Sequence, residues 1–198
     1  TAEEISVIHT DDIVTDLAVD PNQKFLVVAG YGNSGYGDSI TIYDLVSKKT
    51  LQKIAVSPDK GLGSGVDVAI SSDGKLLAVG EDNRTAKIYS TSDWTPVAAI
   101  RPDEGWCGGC GTRVAFSPDS KHLYVASNHS GLKKYELTSF KLILSYEEKV
   151  EDLTGLSVSS DGTLLARATE KEIRVWRTDP IDSMASFIPG EQGGFHEI

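Results

Sequence analysis

The 198-residue sequence predicts an all-β protein built from four copies of a small four-stranded antiparallel sheet. Three observations carry this reading. One pattern recurs four times: apolar-x-apolar, a polar turn, an apolar run, a second polar turn, then an apolar-aromatic pair. The apolar runs last about five residues and are rich in Val, Ile, Leu and Phe, which is the length and composition of a strand. No window sustains a 3.6-residue apolar period with capping residues, so few helices are expected.

The four copies begin Leu17-Ala18-Val19, Val68-Ala69-Ile70, Val114-Ala115-Phe116 and Leu156-Ser157-Val158. Their turns follow at Asp20-Pro21-Asn22, Ser72-Asp73-Gly74, Pro118-Asp119-Ser120 and Ser160-Asp161-Gly162. Asp73-Gly74 and Asp161-Gly162 suit hairpin turns, because Gly accepts positive φ and the Asp side chain caps the turn. Third strands end on an aromatic each time, at Tyr43, Tyr89, Tyr135 and Trp176. Fourth segments follow, such as Leu51 to Val56, Val97 to Ile100 and Leu142 to Tyr146. The anchors Val19, Ile70, Phe116 and Val158 stand 51, 46 and 42 residues apart. That period is close to the roughly 40–45 residues of a four-stranded propeller blade. One such sheet cannot bury both faces, and stacking like units face to face buries them. The core is expected to include Leu17, Val27, Ile42, Val68, Leu77, Ile88, Phe116, Val125, Leu156 and Trp176.

Composition agrees. Hydrophobic residues make up 39% and glycines number 19, which suits short strands and tight turns. The net charge is −10, so nucleic acid and anionic membrane are not expected partners. The Lys48-Lys49 and Lys133-Lys134 pairs are isolated, and no apolar stretch approaches the roughly 20 residues that span a bilayer. Two cysteines do not make a disulfide framework, which points to the cytoplasm.

"Ser-Ser-Asp-Gly-Lys-Leu-Leu-Ala-Val-Gly" at 71–80, "Ser-Pro-Asp-Ser-Lys-His-Leu" at 117–123 and "Ile-Arg-Val-Trp" at 173–176 resemble segments of the WD-repeat β-propeller family. The resemblance runs from about Val14 to Trp176. It implies four-stranded blades, no intrinsic chemistry and a scaffold role in multiprotein assemblies. The repeats are degenerate. No copy has the opening Gly-His pair, only Trp176 keeps the tryptophan, and only Asp44 follows a third-strand aromatic as an Asp. The turn Asp of the family falls at Asp82, and at Asp38.

Three segments break the repeat: Gly30 to Asp38, Ser57 to Gly65 and Arg101 to Thr112. In a propeller these loops lie on one face. Tyr31, Tyr36 and Trp106 supply aromatic anchors of the kind enriched at interfaces, and Arg113 stands beside them as a fourth candidate partner-binding residue. Cys107 and Cys110 form a C-x-x-C. Zinc needs two further ligands, and His129 offers one only. A redox role needs a helix N-terminus, which is missing here, so free thiols or a local disulfide are expected. His9, His122 and His196 are isolated. Asp11-Asp12 and Glu147-Glu148 read as solvated turn charges. The Gly-rich loop precedes a strand, not a helix, and so lacks the dipole that binds phosphate.

The expected organisation is a single propeller or propeller segment with blades at 13–57, 65–102, 112–148 and 153–190. Residues 1–12 would supply the fourth strand of a preceding or closing blade, with Ile5 to Ile8 at its centre. Because the fourth-strand type then occurs five times, the blades are expected to belong to a larger or oligomer-completed propeller. The expected function is a protein-protein interaction scaffold or regulatory module whose partners are other proteins, with no cofactor, metal or catalytic residue. The alternative is a propeller enzyme or metal-dependent hydrolase with its site at the central channel. Asp16 and Asp67 are the acids that recur at first-strand positions facing that channel.

Overall fold

The computed structural model describes residues 7–10, 12–32, 38–57, 66–81, 84–101, 111–128, 130–148, 150, 152–179 and 181–187. Among them are sixteen strands and no helix. The first blade holds β1 (Asp12–Val19), β2 (Phe25–Gly32), β3 (Asp38–Asp44) and β4 (Thr50–Ser57). The second holds β5 (Asp67–Ile70), β6 (Leu76–Gly80), β7 (Ala86–Ser90) and β8 (Pro96–Ile100). The third holds β9 (Thr112–Phe116), β10 (His122–Ser127), β11 (Gly131–Glu136) and β12 (Leu142–Tyr146). The fourth holds β13 (Leu153–Val158), β14 (Leu164–Thr169), β15 (Ile173–Thr178) and β16 (Ile181–Phe187). Strands of each blade follow sequence order, and every adjacent pair is antiparallel.

The polar turns between first and second strands are built from one local device. Ser71, Ser117 and Ser159 donate their hydroxyls to Asp73, Asp119 and Asp161 at 2.7, 2.6 and 2.6 Å. Each serine oxygen then accepts the amide that opens the second strand, from Leu76, His122 and Leu164, at 2.9 Å. The first blade replaces this serine with Asp20, whose carboxylate accepts the Lys24 amide at 3.0 Å. Ser, Asp and Gly recur here because short polar side chains satisfy the turn backbone that the ladder leaves open. Gly74 and Gly162 adopt the positive φ the turn requires.

The blades stack in order, with β1 against β5, β5 against β9 and β9 against β13. Among the described residues no comparable contact joins β13 to β1, so the stack does not close into a ring. Three cores lie between sheets. The first joins Phe25, Val27, Ile40 and Ile42 to Val68, Leu77, Val79 and Tyr89. The second joins Ala78, Ile88 and Ile100 to Val114, Phe116, Leu123 and Val125. The third joins Tyr124, Ala126 and Leu132 to Leu153, Leu165 and Trp176. Trp94, in the turn after β7, stands edge-on to Phe25 at 5.0 Å and covers the rim of the first junction. Gly80 lies so close to the Thr112 carbonyl that no Cβ fits between blades two and three.

Two expectations about the core change. Leu17 is 57% exposed rather than buried: its face of β1 is the one that blades two to four pack against a preceding sheet, and among the described residues no sheet lies against it. Leu156 is only partly buried, at the edge of the third core. Val27, Ile42, Val68, Leu77, Ile88, Phe116, Val125 and Trp176 are buried as expected. Val7 to Thr10 carry no strand, and the rest of the Ile5 to Ile8 segment lies outside the described residues.

Candidate functional site

The inner strands β1, β5, β9 and β13 carry one equivalent position each: Asp16, Asp67, Arg113 and Gly155. Three of these reach the next blade. Asp16 Oδ2 accepts the Val68 amide at 2.8 Å, and Asp67 Oδ2 accepts the Val114 amide at 2.7 Å. Arg113 inverts the polarity, its Nε donating to the Thr154 carbonyl at 3.3 Å. Thr15 adds a bond from its hydroxyl to the Val66 carbonyl at 3.2 Å. Gly155 has no side chain to continue the series. β-Bulges at Val14/Asp16 and Leu153/Gly155 turn this part of the inner strand.

Burial pushes the Asp67 carboxyl up to about 7. The Val114 hydrogen bond opposes that rise, the Asp16 charge adds to it, and the Arg113 guanidinium, 3.8 Å away, opposes it. Asp16 and Asp67 are therefore ties between blades. Their recurrence at first-strand positions, which the sequence offers to a central channel, coincides with the repetition of one backbone contact. Among the described residues, no group of three or more His, Cys, Asp and Glu side chains could hold a metal ion.

The junction between blades three and four contains a second polar group. Arg167 is 1% exposed and packs its guanidinium over the Trp176 ring, 5.2 Å from the centroid. Its Nη1 meets Glu148 Oε2 at 3.1 Å, and the other oxygen of Glu148 meets Arg174 at 2.6 Å. Arg174 also pairs with Glu172. Glu148 is thus no solvated turn charge: it neutralises a buried cation. Arg167 occupies the place that Val28, Val79 and Val125 hold in the other blades. A substitution that breaks an apolar repeat needs a counter-charge nearby, and Glu148 comes from the adjacent blade. Beside this group lies a cleft of about 230 Å³ lined by Glu148, Asp152, Thr169, Glu170 and Glu172.

A groove of about 440 Å³ runs between the same two blades at the turn end, past Asp119, His122, Tyr124, Lys134 and Asp161. His122 is partly buried there, and burial and nearby Lys134 lower its pKa. Asp161 is held down to about 2, first by the Ser159 hydroxyl and then by Thr163. Lys134 lies 5.6 Å from the centre of the Tyr124 ring.

Of the residues expected at a partner surface, Arg113 is placed at the inner-strand ladder, where its guanidinium joins neighbouring blades. Tyr31 lies in β2, paired through its backbone with Ile13 and Asp38. Tyr36 and Trp106, with Cys107, Cys110 and His129, lie outside the described residues. The strand ends that flank the three long loops, at Gly32 and Asp38, Ser57 and Val66, and Arg101 and Gly111, fall at one end of the sheets by topology.

The two ends of the stack expose apolar sheet. On blade one, Leu17 pairs with Val28 and Val19 with Leu26, and Leu26 in turn with Tyr43; Leu17 is exposed and Leu26 and Tyr43 are partly buried, while Val28 is buried. Val19 is 54% exposed. On blade four, Ala166 pairs with Val175 and Ala168 with Ile173, with Leu164 on the same face and 37% exposed. The sequence pattern marks these residues as apolar.

Comparison with known proteins finds the WD domain, G-beta repeat, at residues 4–44 and 54–90. The second match starts within β4 and ends with β7, so the repeat unit is offset from the blade by one strand. An uncharacterized WD repeat-containing protein of Synechocystis is 28% identical over 152 residues, 76% of this chain and 40% of that protein. The small ribosomal subunit protein RACK1 of Drosophila melanogaster is 30% identical over 95 residues, 46% of this chain and 28% of that protein. Ribosomal RNA-processing protein 9 of Saccharomyces cerevisiae is 26% identical over 128 residues, 63% of this chain and 22% of that protein. The chain thus matches less than half the length of each of these relatives.

Proposed function

We propose, on the premise that this chain belongs to the WD-repeat family, that it is a regulatory binding module which holds other proteins. WD-repeat proteins in general serve as interaction scaffolds. The observation that carries the reading here is the exposure of large apolar side chains on regular sheet, Leu17 and Val19 on blade one and Leu164 on blade four. Exposed, contiguous apolar sheet favours association, and unpaired edges add hydrogen-bonding groups to it. The channel-enzyme reading loses support, because Asp16 and Asp67 are committed to backbone amides of the next blade.

The long loops offer a second contact region, with Tyr31, Tyr36 and Trp106 as its anchors, while Arg113 ties the inner strands of blades three and four. Two relatives have names tied to the small ribosomal subunit and to ribosomal RNA processing. If this chain joins a particle of that kind, its net charge of −10 favours protein surfaces over RNA phosphate. The test is affinity capture with the folded chain as bait, repeated with Tyr31→Ala, Tyr36→Ala and Trp106→Ala. Specific partners lost with the loop variants support the module. Stoichiometric metal in the purified chain, with hydrolytic activity lost on chelation, would replace this reading with the enzyme.

A further inference from the structure

We infer that the groove at the turn end of the junction between blades three and four is a docking site for an aromatic side chain with a carboxylate beside it, presented by a segment of a partner protein. The inference rests on the binding-module reading and names the partner chemistry that one of its surfaces takes.

The other two junctions show what fills this place. Trp94, in the turn after β7, crosses from blade two to meet Phe25 of blade one edge-on at 5.0 Å. Phe140 stands at the same place after Tyr135 as Trp94 after Tyr89, and it packs against the second core. Both take positive φ, 60° and 53°, a conformation that bulky residues rarely adopt. Blades two and three thus each cap the preceding junction with a ring from their third-to-fourth turn. Blade four brings no ring. No aromatic stands between Trp176 and Phe187, and strand pairing resumes at Ile181 opposite Thr178.

Blade three differs at the facing positions. By register, Phe25, Leu76 and His122 are equivalent, each opposite the last residue of its third strand. Ile42, Ile88 and Lys134 are equivalent in the same way. The first two junctions have apolar side chains at both places, whereas the third has an imidazole and an ammonium. Tyr124, 2% exposed, forms the floor between them. A polar rim around an aromatic floor keeps the open groove wetted and suits an occupant that comes and goes. The volume of about 440 Å³ falls within the roughly 300–1,000 Å³ of sites that take small organic groups.

The uncommitted charge in the groove is positive. Asp119 accepts the Ser117 hydroxyl and the Lys121 amide, and it pairs with the Lys121 ammonium. Asp161 is bound by Ser159 and Thr163. Lys134 has no carboxylate within ion-pair distance among the described residues, and its ammonium lies 5.6 Å from the Tyr124 ring centre. Burial first and Lys134 second lower the His122 pKa, with Lys121 acting in the same sense and Asp119 and Glu136 opposing. A ligand carboxylate beside Lys134 supplies the missing counter-charge. A ligand ring takes the place that Trp94 and Phe140 hold at the other junctions, and aromatic anchors carry much of the energy of such contacts.

The test uses the full chain and three synthetic peptides. The first is acetyl-Gly-Ser-Glu-Trp-Glu-Ser-Gly-amide, the second has Ala for Trp, and the third has Lys for both Glu. Two-dimensional NMR locates binding through the amides of His122, Lys134 and Thr178 and follows the titration of the His122 ring. The first peptide is expected to shift these resonances with a Kd on the order of 1 mM or tighter. It should also raise the His122 pKa, because its carboxylate offsets the Lys134 charge. The Ala peptide should bind at least about tenfold more weakly, and the Lys peptide about fivefold. Lys134→Ile installs the residue of blades one and two and should abolish the preference for Glu over Lys while Trp peptides still bind. Melting curves establish that this variant is folded, with Lys134→Gln as the substitute.

No shift at these residues up to about 5 mM of the first peptide overturns the proposal, as does binding centred elsewhere on the chain. Equal binding of the Ala peptide or of the Lys peptide overturns it too. Specific partners captured equally by the wild type and Lys134→Ile would leave the binding module standing without this groove. Capture of no specific partner would remove the binding-module reading as well.

Discussion

The carboxylate of Asp67, on the inner strand of blade two, accepts the amide of Val114, on the inner strand of blade three, at 2.7 Å. This contact ties two sheets through a group whose charge depends on pH. Burial holds its pKa at about 7, against an ordinary value of 3.8. The folded chain therefore binds a proton that the unfolded chain releases between those values. Its contribution to stability is full below about pH 4 and is lost as pH rises through about 7. The turn carboxylates Asp73 and Asp119 act oppositely, since their pKa values are lowered and their contributions are lost in acid. Stability is expected to peak near pH 4–5 and to fall towards neutrality by on the order of 2 kcal/mol. Urea titrations across pH check this, and Asp67→Asn should flatten the fall.

Trp176 fills the third core with no exposed surface. Its ring stands edge-on to Tyr146 at 5.9 Å, and Arg167 lies over it. Trp176→Ala is expected to cost about 3–5 kcal/mol, read as a lower urea midpoint. Trp176→Phe should cost markedly less, because the pocket stays filled.

Removing Glu148 leaves the Arg167 guanidinium buried beside Arg174 with no carboxylate from blade three. Glu148→Ala should therefore destabilise the chain by about 3 kcal/mol. Arg167→Val installs the residue type of the other blades and should be neutral or stabilising. In that background Glu148→Ala should cost little, so the double-mutant cycle in thermal denaturation should show strong coupling.

Arg113 and the loop aromatics should separate in one set of experiments. Arg113→Ala removes the bond to the Thr154 carbonyl and is expected to lower the melting midpoint by roughly 5 °C. Tyr31→Ala, Tyr36→Ala and Trp106→Ala should leave melting nearly unchanged while weakening partner capture. A fall in melting temperature with capture intact would make those aromatics packing residues.

The fold was legible because strand, turn and aromatic recur at fixed offsets, and local chemistry decides each of them. Ser117 and Asp119 build their turn from neighbours a few residues away, so the sequence shows the device whole. The assignment of Leu17 to the core failed for the converse reason. Its apolar pattern is the same as that of Val68 or Val114, and its exposure depends on a sheet that is not adjacent in sequence. Glu148 was hidden in the same way. Its partner Arg167 lies in the next blade, and only the apolar residues at the equivalent places, Val28, Val79 and Val125, hint that an arginine there needs a counter-charge. The inner-strand acids were visible as a repeat, but an Asp bonded to a backbone amide and an Asp awaiting a substrate look alike in one dimension.

The inner-strand series runs from carboxylate to carboxylate to guanidinium to a residue with no side chain. It thereby gives each junction of the stack a tie of different chemistry. Sheets coupled only to their neighbours open one at a time, beginning where the coupling is weakest. The side chain of Asp16 latches the first junction and that of Asp67 the second, each to an amide, while the third relies on Arg113 and the buried ion pair. The three junctions therefore differ in kind: the second carries a carboxylate that ionises at about 7, and the third a buried guanidinium with its counter-charge, so pH and salt bear on them unequally.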